Sequence, residues 1–95
     1  MTITTTNVNR RDFLLMRTGH ESGQAILSCE QLYMRYVDAR AQGTTEELFA
    51  RLARDLDDVT RVRLIKTSWL SDDQLKRELD VVFEAFRNRG GRIEH

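Results

Sequence analysis

The reading of residues 61–94, RVRLIKTSWLSDDQLKRELDVVFEAFRNRGGRIE, decides the fold. Val62 and Leu64 alternate with Arg61, Arg63 and Ile65, which is the two-residue period of a strand with one buried face. Ser71 stands where a helix N-cap belongs, and Gln74 follows three residues later as in a capping box. Leu70 and Leu75 flank that cap at the spacing of a hydrophobic staple. Asp72 and Asp73 bring negative charge to the positive end of the helix dipole. Leu75, Leu79, Val82, Phe83 and Phe86 then form one apolar stripe, while Asp73, Lys76, Arg77, Asp80, Glu84 and Arg87 face water. Gly90 and Gly91 supply a left-handed helix stop, and residues 92–94 form a second strand. Strand, helix and strand in this order predict a βαβ crossover of right-handed sense.

Upstream, residues 44–58 predict another amphipathic helix. Thr44 and Glu47 have capping-box spacing, and Leu48, Phe49, Leu52, Ala53 and Leu56 share a face. Residues 25–37, AILSCEQLYMRYV, fit two periods. As a strand, Leu32, Met34 and Tyr36 oppose Tyr33, Arg35 and Val37. As a helix, Leu32, Tyr33, Tyr36 and Val37 form a stripe. Aromatic and β-branched content favours the extended form, with Ser28, Cys29 and Glu30 marking a bend between two short strands. Residues 38–43 then form a loop. The expected fold class is α/β: a small β(β)-α-β-α-β domain over residues 24–95, with a mostly parallel sheet and two amphipathic helices. Residues 1–23 are expected to be a flexible N-terminal arm.

At 95 residues the chain has room for one domain, and a hydrophobic fraction of 40% allows a small core. The formal net charge of zero gives no global attraction for nucleic acid or membrane. No apolar run approaches the roughly 20 residues that span a bilayer. A single cysteine forms no intrachain disulfide, so folding needs no oxidising compartment and a cytoplasmic location is expected.

Near the N-terminus, Asn9-Arg10-Arg11-Asp12-Phe13-Leu14-Leu15 resembles the twin-arginine export signal. That signal runs a small polar residue, two arginines, any residue, phenylalanine and leucine together. Here Arg10, Arg11, Phe13 and Leu14 carry the match. The apolar stretch after it ends at Met16, before Arg17, Gly19, His20 and Glu21, short of the roughly 7–15 residues of a signal's apolar region. The segment reads as a degenerate signal on an exported or redox-enzyme accessory protein. It reads equally as a short apolar anchor that docks on the domain or a partner.

Few residues invite chemistry. Cys29 has Glu30 beside it, which raises a thiol pKa, and reads as a small buried hydrophobe. His20 falls in the arm and His95 at the terminus, with no metal-like Cys–His spacing. Asp72 and Asp73 diverge by about 100° on a helix, so they suit first-turn stabilisation better than paired acid–base work. Arg61, Arg63, Lys66, Arg89 and Arg92 form a basic set. Phosphate capture requires a glycine-rich loop entering a helix, whereas Gly90 and Gly91 leave one, so the set reads as a solvated face or partner surface. No catalytic, cofactor-binding or metal-binding residue is expected, and the chain is not expected to be an enzyme.

The arrangement around Trp69-Leu70-Ser71-Asp72-Asp73-Gln74-Leu75, with Arg87-Asn88-Arg89-Gly90-Gly91-Arg92-Ile93 after it, resembles STAS domains, the anti-sigma-factor-antagonist family. Members carry a strand, a hydrophobic-hydrophobic-Asp-Ser-Ser/Thr-Gly-Leu motif, a helix and a Gly-Gly turn into a strand. The family's phosphorylatable hydroxyl is replaced here by Asp72 or Asp73, which implies a permanently charged loop. The resemblance implies a non-catalytic bacterial protein-interaction or regulatory module whose partner is a protein or a second copy. The residues expected to meet that partner are Ser71, Asp72 and Asp73 in the loop, with Arg61, Arg63, Tyr33 and Arg35 on a bare sheet face.

Overall fold

The structure, a computed structural model, describes residues 15–17, 23–65 and 68–95. The chain is mixed α/β, with a four-stranded, mostly parallel sheet. Strand β1 is Leu15–Arg17 and β2 is Gln24–Ser28. Two helices follow, α1 at Cys29–Gln42 and α2 at Thr45–Asp55. Strand β3 (Arg61–Ile65) leads through a 3₁₀ turn at Ser68–Ser71 into helix α3 (Asp73–Asn88) and strand β4 (Arg92–Glu94).

The strands lie in sequence order, β1 antiparallel to β2 and the rest parallel. Leu15 pairs with Leu27, and Leu27 with Leu64, so inward residues meet across the sheet. Leu15, Ala25, Leu27, Val62 and Leu64 are all buried, as the two-residue period of β3 requires. Their core is completed by the stripe Leu75, Leu79, Val82, Phe83 and Phe86 of α3 and by Leu48, Phe49, Leu52 and Leu56 of the α2 region. The inward strand residues pack into one core with the buried faces of the helices, which places the described helices on one side of the sheet.

Several local expectations change. Residues 29–42 are one helix, neither a strand nor a loop. Ser28 is its N-cap, accepting from the Gln31 backbone N–H at 3.3 Å, and Gly43 at φ 74° stops it. Cys29, Leu32, Tyr36 and Ala39 are its buried face, at helical spacing. Tyr33 is therefore half-buried on a helix, and Arg35 is exposed on that helix, not on the sheet. There are thus three α-helices among the described residues where two were expected.

Residues 15–17 belong to the sheet, with Leu15 at 2% exposure, so part of the expected arm is core. Thr44 occupies the cap position of α2 without a side-chain cap bond. Its N–H and Oγ1 both turn back to the Ala39 carbonyl, at 2.8 and 3.5 Å, and close α1 instead. Ala53 of the expected α2 stripe is exposed, and Asp55 is buried in its stead. Finally, α3 is capped by Asp72, whose Oδ1 accepts from the Leu75 N–H at 3.0 Å. Ser71 is the last residue of the 3₁₀ turn, closed by the Asp72 N–H to the Trp69 carbonyl at 3.0 Å.

The strand starts are drawn together at residues 59–61. The Gly23 carbonyl accepts from the backbone N–H groups of Thr60 (2.7 Å) and Arg61 (2.9 Å) and from Thr60 Oγ1 (3.3 Å). The Thr60 carbonyl in turn accepts from the Arg92 N–H at 2.9 Å. Gly23 has φ 95°, a conformation that glycine adopts without strain.

Candidate functional site

The candidate surface is the side of the sheet away from the described helices. On β3 the outward residues Arg61, Arg63 and Ile65 are exposed. On β2 the outward residues are Gln24, Ile26 and Ser28, and on β1 Met16, which is 49% exposed. Register fixes the pattern: Met16 sits opposite Ile26, Ile26 opposite Arg63, and Arg63 opposite Glu94. Gln24, Arg61 and Arg92 form the adjacent row, and Ser28 with Ile65 the next. An apolar diagonal, Met16–Ile26–Ile65, thus borders a basic corner of Arg61, Arg63 and Arg92.

Within that corner Arg61 Nη1 lies 3.8 Å from Glu94 Oε2, and both side chains are nearly half exposed. Such a pair contributes little to stability. Arg63 and Arg92 pair with no acidic side chain among the described residues. A shallow depression of about 190 Å³ opens between Gln24, Ile26, Arg61, Arg63 and Glu94. Arg89 leaves the expected basic set, because its Nη2 donates to the Val59 carbonyl at 2.9 Å and its guanidinium covers the Phe86 ring. Lys66 lies outside the described residues.

The loop before α3 is separate from this face. Asp72 Oδ2 is 3.0 Å from Arg40 Nη1, which also donates to the Tyr36 hydroxyl at 3.3 Å and covers the Tyr36 ring at 5.2 Å. Asp72 is thereby committed to joining α1 to α3, with 14% of its side chain exposed. Asp73 keeps 82% exposure beside Lys76, and Ser71 is exposed. The Leu75 N–H, followed by Arg40, holds the Asp72 carboxyl below its ordinary pKa against the opposing effect of burial. A depressed carboxyl stabilises the fold above its unfolded-state pKa and loses that contribution as pH falls through its folded value. Asp72→Ala should cost about 1 kcal/mol, as lost N-caps do, with Ser71→Ala near neutral. Urea midpoints of the two proteins check this, and a larger loss for Ser71→Ala would refute the cap assignment. Asp72→Asn keeps a capping oxygen, so its stability should depend less on pH below about 5 than that of the parent.

Cys29 is 1% exposed, and burial pushes its thiol pKa up. The neighbouring Trp69 indole N–H opposes that rise in part. A maleimide should label Cys29 only on the timescale of unfolding. Rapid labelling of the folded chain at neutral pH would contradict its burial.

A depression of about 320 Å³ runs between α1 and α2 past Arg35, Asp38, Gln42, Glu47 and Arg51. Arg35 and Arg51 are already engaged within the chain. Among the described residues, no set of three His, Cys, Asp or Glu side chains is placed to hold a metal, and no helix is long and apolar enough to cross a membrane. Arg10, Arg11, Phe13 and Leu14 lie outside the described residues. The structure therefore brings Arg61 and Arg63 together, puts Tyr33 and Arg35 on α1, and sets Ser71, Asp72 and Asp73 at the foot of α3. Sequence reasoning placed Ile65 and Arg92 with Arg61 and Arg63 but missed Met16 and Ile26 as members of the same surface. Only strand register puts those two side by side. No family model, curated protein or solved structure matches the chain.

Proposed function

We propose that the chain is a non-catalytic protein-interaction or regulatory module, STAS-like in organisation, whose working surface is the bare face of its sheet. The observation that carries this reading is the one-sided cover of the parallel strands. Parallel sheets are ordinarily buried on both faces, and here all the described helices lie on one. The uncovered face mixes exposed Met16 and Ile65 with arginines, a composition suited to a partner's contact surface. The unit from Trp69 through α3 and Gly90-Gly91 to β4 supports the STAS-like part of the reading.

A photo-reactive benzophenone residue placed at Ile65, with a control at Val81 on the outer side of α3, tests it in living bacteria. Val81 is 70% exposed, so both positions are open to solvent. The expected result is a discrete protein adduct from Ile65 and none from Val81. Only background labelling at Ile65 would sink the reading.

A further inference from the structure

We infer that the occupant of the bare sheet face is an amphipathic α-helix of a partner protein, apolar on one stripe and acidic along one flank of it. The inference rests on the docking reading above and names the chemistry of the partner. Its first support is that no described helix covers this face. Parallel strands joined by crossovers are covered by helices, so a helix is the element that completes this sheet. The lengths agree. β2 and β3 have five residues each, about 17 Å at strand rise, and a helix covers that distance in roughly eleven residues.

The second support is charge. The basic corner carries Arg61, Arg63 and Arg92 against one acid, Glu94, and it lies to one side of the apolar diagonal. Leucine-like side chains on Met16, Ile26 and Ile65 would bring one helix flank over Arg63 and Arg92. Glutamate or aspartate there meets guanidinium groups that have no acidic partner among the described residues. A second copy docking by this same face would set arginine against arginine, which like-charge repulsion disfavours. A single-stranded nucleic acid needs aromatic platforms for its bases, and the described outward residues of β1–β4 include no aromatic.

Anisotropy titrations with fluorescein-labelled peptides test the inference. The acidic probe is a helix-forming peptide of about sixteen residues with leucines at helical spacing and glutamates on one flank. The comparison probes replace those glutamates by glutamine or by lysine, and a short oligouridylate stands for nucleic acid. The expected order is acidic tightest, glutamine weaker and lysine weakest, with affinity for the acidic peptide falling as salt rises. Arg63→Ala and Arg92→Ala should each weaken the acidic peptide about tenfold, the scale of one charged hydrogen bond. Arg63→Glu should reverse the preference toward the lysine peptide. Equal binding of all three peptides, tighter binding of oligouridylate, or a dimer that excludes the peptide would each overturn the inference. An adduct at Ile65 together with charge-insensitive peptide binding would leave the docking reading standing and remove only this one. Loss of the adduct would remove both.

Discussion

Tyr36→Ala should unfold the domain more readily by about 3–5 kcal/mol, the scale of deleting a buried aromatic ring. Tyr36 is fully buried, its ring 6.0 Å from that of Phe49 at a 59° tilt, so it joins α1 to α2. Its hydroxyl also accepts from Arg40, the residue that joins α1 to Asp72 at the start of α3. Removing the ring thus leaves a cavity between α1 and α2 and frees Arg40 from one of its two partners. Tyr36→Phe isolates the hydroxyl, and its cost should be about 0.5–1.5 kcal/mol. For a domain of this size each kcal/mol moves the melting midpoint by roughly 4–8 °C, so the two variants separate clearly. A Tyr36→Ala midpoint within a few degrees of the parent would mean that α1 does not sit on the core through this residue.

Gly91→Ala is expected to destabilise by about 1–3 kcal/mol through overpacking. A Cβ at position 91 would lie within 2.6 Å of Phe86 Cε1, and nearer still to Cζ and Cε2. Phe86 cannot swing away, because it is 2% exposed and covered by the Arg89 guanidinium. The Gly91 N–H also donates to the Phe86 carbonyl at 3.0 Å, fixing the backbone against the ring. Gly90 is the contrasting case. Nothing lies within 4 Å of its would-be Cβ, but its φ of 101° strains any other residue. The two glycines serve one turn by different physics, and a double mutant tells them apart. Phe86→Leu should relieve part of the Gly91→Ala loss and none of the Gly90→Ala loss. Purely additive effects for the Phe86–Gly91 pair would refute the steric account.

The strand–helix–strand half was legible because its signals are local. The alternation in β3 and the stripe of α3 both came through, and the fold class followed from their order. The helix cap slipped by one residue for a non-local reason. Ser71 and Gln74 have the right spacing, but Arg40 arrives from α1 and pairs with Asp72, which then receives the Leu75 N–H as well. Nothing within residues 61–94 announces that partner. Helix α1 is different, because its signs were present and outweighed. Ser28 and Gln31 have cap spacing, and Gly43 closes the segment, yet the aromatic and β-branched residues between them favoured a strand. Burial of Leu32, Tyr36 and Ala39 against sheet and helices decided the outcome, an instance of packing overriding propensity. Of the candidate surface, Arg61 and Arg63 were legible from alternation. Met16 was not, because β1 declares itself only by pairing with β2.

The outermost strands have a consequence of their own. Among the described residues β1 and β4 are three residues long, flanking central strands of five. Fibril growth by cross-β stacking recruits flat, weakly charged segments of about six or seven residues. Within the described residues each rim strand offers half that length, and β4 carries an arginine and a glutamate in its three positions. Short charged margins are a known defence against strand-by-strand recruitment of neighbouring molecules. Among the described residues one broad side of the sheet carries no helix, yet the rim offers a neighbouring copy little from which to grow amyloid.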